Sequence, residues 1–260
     1  MNEAAILLTE RQGDILAQVQ ARGHRSIETL SKHFNVSAQT IRRDVNLLCE
    51  LGKLRRVHGG VEPLRGGNLV YTSRRVLNLN AKLLIARRFG TLISSGQSLA
   101  VSIGTTPEIT VRELADLSDI TLLTNNLHTA TSVCDREGWS VSVPSGQVRP
   151  GDHDILGPEA ESFFDRYQVD FGLFGVAGVA EDGTLLDFTE SEVASRLAIK
   201  RNARRSVLLL DQSKFGRPAH VRGGHIADVD TVICDAPPPA PILDALTAKG
   251  RDVLIAEATQ

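Results

Sequence analysis

Cysteine is scarce in this chain. There are three in 260 residues, Cys49, Cys134 and Cys234, far apart and with no CxxC pair. That spacing excludes a disulfide-built scaffold and a zinc ribbon, and it predicts reduced, mostly buried thiols of a cytosolic protein. Long apolar runs are missing too. None reaches the ~18 residues of a membrane-spanning helix, and the N-terminus lacks the basic-then-apolar order of an export signal. A soluble, cytoplasmic protein is expected. Seven histidines are scattered, and the close pair His220 and His225 has no cysteine near it, so no metal site or cofactor is predicted. The net charge of −2 is also small, which by itself argues against nucleic acid. Its distribution argues the other way. Residues 1–65 hold ten Lys and Arg against seven Asp and Glu, about +3, leaving about −5 on the remainder. A basic front module and an acidic rear one follow, and the length allows two domains.

What is present is densest between Ser26 and Gly60. Glu10–Ala21 has the apolar stripe Ile15, Leu16 and Val19 of an amphipathic helix. Ser26 is a good N-cap for a second helix, in which Leu30 and Phe34 keep helical spacing. Asn35-Val36 breaks that helix and Ser37 caps a third, whose Ile41, Val45 and Leu48 at i, i+4 and i+7 predict the buried face. Gln39, Thr40, Arg42, Arg43 and Asn46 are left outside. Two short helices about a tight turn, with polar and basic groups at the start of the second, make a helix-turn-helix that reads base edges in the major groove of double-stranded DNA. The run Lys53–Val61 then predicts a β-hairpin with a Gly59-Gly60 turn, a wing that brings Arg55, Arg56 and His58 to the phosphate backbone.

QTIRRDVNLL followed by a wing ending in HGG resembles the winged helix-turn-helix of the DeoR family of bacterial sugar-operon repressors, over roughly residues 9 to 64. The division expected is a DNA-binding domain at 1–64, a linker at 65–80 and a second domain at 81–260.

In the second domain, strand-like apolar runs at 99–103, 120–123, 140–143, 169–174, 207–210, 232–234 and 253–256 alternate with helical patterns at 107–116, 126–137, 159–166, 190–204 and 242–249. That alternation predicts an α/β fold with a largely parallel sheet. Ligands of such sheets gather at the carboxyl ends of the strands. The loops there are polar: Gly104-Thr105-Thr106 at a helix start, Thr124-Asn125-Asn126, Pro144–Arg149, Gly175–Gly178 and Asp211–Lys214. Backbone N–H groups at a helix start, hydroxyls, a guanidinium and an ammonium on one rim suit a small phosphorylated polyol.

SIGTTPE, TNNLHTA, DFGLFGVAGV and DQSKFGR resemble the sensor domain of the same family, a relative of ribose-5-phosphate isomerase; with DGTLLDFTESEV they look closest to the branch that governs glycerol 3-phosphate catabolism. The resemblance implies a ribose-5-phosphate-isomerase-like sensor in which Gly104, Thr105 and Thr106 hold the phosphate, and in which Thr124, Asn125, Asp170 and Lys214 line the pocket with Gly146, Arg149 and Glu192. It implies a repressor acting as a homo-oligomer, dimer or tetramer, released from operator DNA by glycerol 3-phosphate or another sugar phosphate such as fructose 1-phosphate. The family's usual Gly-Gly before the Arg-containing loop is Ser145-Gly146 here. An isomerase or deaminase is the alternative. It needs a general base, for which Asp170, Asp187 and Glu192 are the candidates. A surface pair Glu192–Arg196 at i, i+4 explains that glutamate without catalysis, so no enzymatic activity is expected.

Overall fold

The computed structural model describes residues 8–22, 24–50, 53–57, 59–63 and 71–257. The chain forms two compact units, 1–77 and 78–260. In the first, α1 (Glu10–Arg22) is followed by β1 (Arg25–Ser26), α2 (Ile27–Phe34), α3 (Ala38–Glu50), β2 (Leu54–Val57), β3 (Gly60–Pro63) and α4 (Tyr71–Val76). The caps are those the residues suggest. The Ser26 side chain accepts from Thr29 N–H, and Asn35 ends α2 in the left-handed region. Ser37 Oγ accepts from Thr40 N–H at 3.1 Å. Ile15, Val19, Leu30, Ile41, Val45 and Leu48 are buried in one cluster with Leu54 and Val61 of the hairpin.

The wing differs from expectation in its turn. Gly60 pairs with Val57, so Gly60 belongs to the strand and not to the turn. The reason is a third strand the sequence did not announce: β1 pairs with β3, Ser26 opposite Gly60. A Cβ on Gly60 would collide with the backbone carbonyl of Arg25. Of the expected linker, 71–76 are helical and α5 begins at Leu79; residues 65–70 lie outside the described residues.

The second unit runs α5 (Leu79–Gly90), β4 (Ser98–Val101), α6 (Thr105–Glu113), β5 (Thr121–Thr124), α7 (Leu127–Val133), β6 (Ser140–Ser142), β7 (Val148–Arg149), β8 (Asp154–Ile155) and α8 (Pro158–Phe164). It continues through β9 (Val169–Phe174), β10 (Gly178–Val179), β11 (Thr184–Asp187), α9 (Glu190–Arg201), β12 (Ala203–Leu210), β13 (Val221–His225), β14 (Thr231–Cys234), α10 (Ala240–Ala248) and β15 (Asp252–Ile255). Seven strands form a parallel sheet in the order β15-β14-β12-β9-β4-β5-β6. Each overlaps one of the seven apolar runs. Side chains alternate across the sheet: Leu99 and Val101 pack with Ile85, Phe89 and Val111, while Ala100 packs on the other face with Phe163, Phe164 and Ile199. Two antiparallel additions were not legible in advance, the β7–β8 hairpin and the sheet β10-β11-β13.

Cys234 is buried, Cys49 is half-buried and Cys134 is exposed, so the thiols are not mostly buried. Among the described residues no helix is long and apolar enough to cross a membrane, and no three His, Cys, Asp or Glu are grouped to hold a metal.

Candidate functional site

In the first unit Gln39, Arg42, Arg43 and Asn46 are exposed on α3, with Thr40 half-buried beside them. Ser37 and Thr40 also bond to each other, Oγ to Oγ1 at 2.9 Å, so both serve the helix start as well as the outer face. Arg55 pairs across the hairpin with Glu62, its Nε at 2.7 Å from Oε1. Arg56 reaches back to α3 and donates to Asn46 Oδ1. Neither wing arginine stands unengaged in this structure; each must share or exchange its partner to meet a phosphate. His58 lies outside the described residues. The Asp of the IRRD run is not on the DNA face. Asp44 is buried and takes Arg11 Nε at 2.7 Å and Gln12 Nε2 at 2.9 Å, tying α1 to α3.

The second unit gathers its polar loops at the carboxyl ends of the parallel strands. Gly104, with φ +113°, caps α6, and Thr105 and Thr106 form the buried first turn. Pro107 follows, so the first-turn N–H groups pointing out of the helix end are those of Thr105 and Thr106. Lys82, only 4% exposed, donates to Thr105 Oγ1 at 3.0 Å. Sequence reasoning missed this lysine. The signal was present: Lys82, Ile85, Ala86 and Phe89 keep the i, i+3, i+4, i+7 spacing of a core face, and an ammonium on such a face needs a reason.

Thr124 and Asn125 continue the rim on the adjacent strand. Thr124 Oγ1 donates to Val101 O at 2.8 Å and accepts from Asn126 N–H at 3.1 Å, which gives it a structural task. Asn126 Nδ2 reaches Gly104 O at 3.3 Å and joins the two loops. Lys214 is half-buried at the end of a 3-10 turn that follows β12. There Asp211 is buried and accepts from Asn78 Nδ2 at 2.9 Å and Ser213 N–H at 3.1 Å.

Four expected site residues have other work. Asp170 is the second residue of β9, at the opposite end of the sheet. It accepts from Ser98 N–H at 2.9 Å and Ser98 Oγ at 2.7 Å. The carboxyl end of that strand is four residues, roughly 13 Å, away, so Asp170 does not line the rim. The Ser98 hydroxyl, its largest influence, holds the carboxyl below its ordinary pKa.

Arg149 is held by three carboxylates of its own chain: Asp154 at 2.8 Å, Glu192 at 2.9 Å and Asp152 at 3.2 Å. Burial opposes its charge, but Asp154 and Glu192 hold its pKa above the usual value. A guanidinium so occupied is a strut between the β7–β8 hairpin and α9, not an open phosphate fork. Burial in turn pushes the Asp154 carboxyl up against the pull of Arg149.

Glu192 closes a capping box. Its Oε2 accepts Phe188 N–H at 3.0 Å and Thr189 N–H at 3.3 Å, while the Thr189 side chain accepts Glu192 N–H. The Thr189–Glu192 spacing is a capping-box pattern legible in the sequence. Arg196 is therefore not its partner; it is buried against Asp187.

Gly146, with φ +135°, packs against the hairpin, where a Cβ would come 2.9 Å from Ile155 Cγ2. Neighbouring Ser145 lines an open groove of about 430 Å³ with Pro158, Glu159 and Arg166. All three general-base candidates are thus engaged: Asp170 by Ser98, Asp187 by Arg196, Glu192 by its cap and Arg149.

A winged helix-turn-helix joined to a parallel α/β domain with a polar carboxyl rim defines a DNA-binding transcription regulator built from two functional units. Residues 11–65 match the DeoR-like helix-turn-helix domain and residues 77–236 the DeoR C terminal sensor domain. The chain belongs to the DeoR family, which is one of transcription regulators rather than enzymes. It is 38% identical over 240 residues to the glycerol-3-phosphate regulon repressor of Escherichia coli, covering 92% of this chain and 95% of that one. It is 37% identical over 221 residues to the protein of the same name in Haemophilus influenzae, covering 85% and 86%. Among solved structures, ribose 5-phosphate isomerase A of Methanocaldococcus jannaschii aligns with a TM-score of 0.38 at 18% identity, over 53% of this chain and 55% of that one. This last likeness is too distant to bear on what the chain does.

Proposed function

We propose that this protein represses a glycerol or glycerol 3-phosphate catabolic regulon. As a homo-oligomer, dimer or tetramer, it grips double-stranded operator DNA through α3 and the wing. It lets go when glycerol 3-phosphate occupies the carboxyl rim of the parallel sheet. The names of the two relatives support the regulon and the sign of regulation. The observation that carries the effector class is Lys82 beside Thr105 at the start of α6. A helix dipole disfavours a cation at its N-terminus. The Lys82 ammonium, which donates to the Thr105 hydroxyl, and the first-turn N–H groups both favour an anion there, beside the buried Glu108 of the same turn. Gly104, Thr105, Thr106, Lys82 and Lys214 are the residues proposed to hold the phosphate end.

Release then follows from linkage. If the effector prefers the arrangement that binds DNA poorly, it weakens operator binding by the factor by which DNA weakens effector binding. A coupling of about 1–3 kcal/mol is of the size such regulators use. The test is to titrate operator-bound protein with glycerol 3-phosphate, glycerol and fructose 1-phosphate in parallel. Release by the first alone is expected. Lys82→Met, Lys214→Ala and Gly104→Asp should each keep operator affinity and lose release. Release by unphosphorylated glycerol, or unaltered release in all three variants, would refute the reading.

A further inference from the structure

Asn125 is fully buried at the loop that follows β5. Both its amide hydrogens are spent, one on Ile155 O at 2.9 Å in the β7–β8 hairpin, the other on Ser195 Oγ at 3.0 Å in α9. The carbonyl of Ile155 can only accept, so the amide nitrogen must face it and the orientation of the side chain is settled. That leaves Oδ1, a buried acceptor with no hydrogen-bond partner among the described residues. Thr129 Oγ1, on the first turn of α7, is a second such atom. Folded proteins seldom keep buried polar atoms unpaired, so each such atom calls for a partner.

Thr124, just before Asn125, pairs with Val101 on the neighbouring strand β4, whose loop leads to Gly104 and α6. Asn125 follows directly on that pairing, and its neighbour Asn126 reaches Gly104 O at 3.3 Å, which sets the two loops side by side at the rim.

We infer that Asn125 is the specificity-determining residue for the uncharged end of the effector: its Oδ1 accepts a hydroxyl hydrogen from a small monophosphorylated polyol. The inference rests on the proposed phosphate seat and adds to it the chemical class of the rest of the ligand. An acceptor with both donors committed selects an O–H and rejects an oxyanion, since lone pairs would meet lone pairs. A carboxylate in place of the terminal hydroxyl is excluded on the same ground. Ser195 is a positioning residue here, holding the Asn125 amide so that Oδ1 faces the ligand.

The experiment is calorimetric titration of the full chain, without DNA, with four probes: glycerol 3-phosphate, propyl phosphate, 3-phosphoglycerate and inorganic phosphate. Propyl phosphate, which has the anion but no hydroxyl, should bind about tenfold or more weakly than glycerol 3-phosphate, and 3-phosphoglycerate no better than propyl phosphate. In Asn125→Ala that ratio should collapse toward one while propyl phosphate binds as before. Should that variant fail to fold, Ser195→Ala keeps the question open to refutation, because it should narrow the ratio without changing propyl phosphate affinity. Equal binding of glycerol 3-phosphate and propyl phosphate, or a ratio unmoved in the variants, overturns the role of Asn125 and leaves the phosphate seat standing. Binding of none of the four overturns the phosphate seat itself, and this inference with it.

Discussion

Arg196 and Asp187 form a buried ion pair in the sensor domain, Nη2 to Oδ2 at 2.8 Å, with side chains 2% and 8% exposed. The guanidinium also donates through Nε to the same oxygen at 3.1 Å and through Nη2 to Gly223 O at 2.9 Å. The second carboxylate oxygen accepts Ala177 N–H at 3.2 Å. The pair thereby clamps α9 to the small antiparallel sheet and to the loop leaving β9. Removing one member strands the other charge in the interior. Arg196→Ala is expected to cost about 3–5 kcal/mol of unfolding free energy, read by urea denaturation. A loss under about 1 kcal/mol would mean that the charge is not confined as described.

Arg149 supports a second prediction, one with a pH signature. Arg149→Ala leaves Asp152, Asp154 and Glu192 close together without their cation. With Arg149 about a third exposed, a loss of about 1–3 kcal/mol at neutral pH is expected. The Asp154 carboxyl is already raised by burial, and the substitution raises it further. An acid whose folded pKa is raised takes up its proton more readily in the native state, so stability recovers as pH falls. Thermal melts should show the deficit shrinking from neutrality toward about pH 5. A deficit that grows on acidification contradicts this.

In the DNA-binding domain the buried Asp44 joins α1 to α3. Asp44→Ala takes away the acceptor of Gln12, itself buried, and of Arg11. About 1–3 kcal/mol of stability should be lost, along with operator affinity, since α3 is no longer set against α1. Full operator affinity at unchanged stability would show that the tie is dispensable.

Asp170 tests the polarity of the sheet. Because it sits at the amino end of β9 with Ser98, Asp170→Asn should leave effector-driven release intact. Its cost is expected to be small, about 1 kcal/mol. The folded carboxyl is lowered, chiefly by the Ser98 hydroxyl, so its contribution is present above the unfolded pKa near about 3.9 and fades as pH falls through the folded value. Wild type and variant should therefore converge in acid. Loss of release with DNA binding preserved would put Asp170 back at the rim.

Much of the architecture needed only local pattern. Caps at Ser26 and Ser37, the i, i+4, i+7 stripe of Ile41, Val45 and Leu48, and seven apolar runs of strand length all act over a few residues, and the folded chain uses them as written. Residues at strand ends were legible for the same reason, since Gly104, Thr105 and Thr106 come just after β4, past Ser102 and Ile103, and lead into α6.

Partnership across the fold was decided elsewhere. Which oxygen neutralises Arg196, why Arg149 is taken by Asp154 and Glu192, and which end of β9 carries Asp170 depend on strand order and register between segments up to 72 residues apart. A run of residues carries its own periodicity, but it does not carry the identity of the atoms that packing will bring within 3 Å of it. For that reason composition and spacing established a DNA-reading front and a parallel α/β rear. Only tertiary contacts singled out Lys82 as the buried cation of the rim and released Asp170 and Arg149 from it.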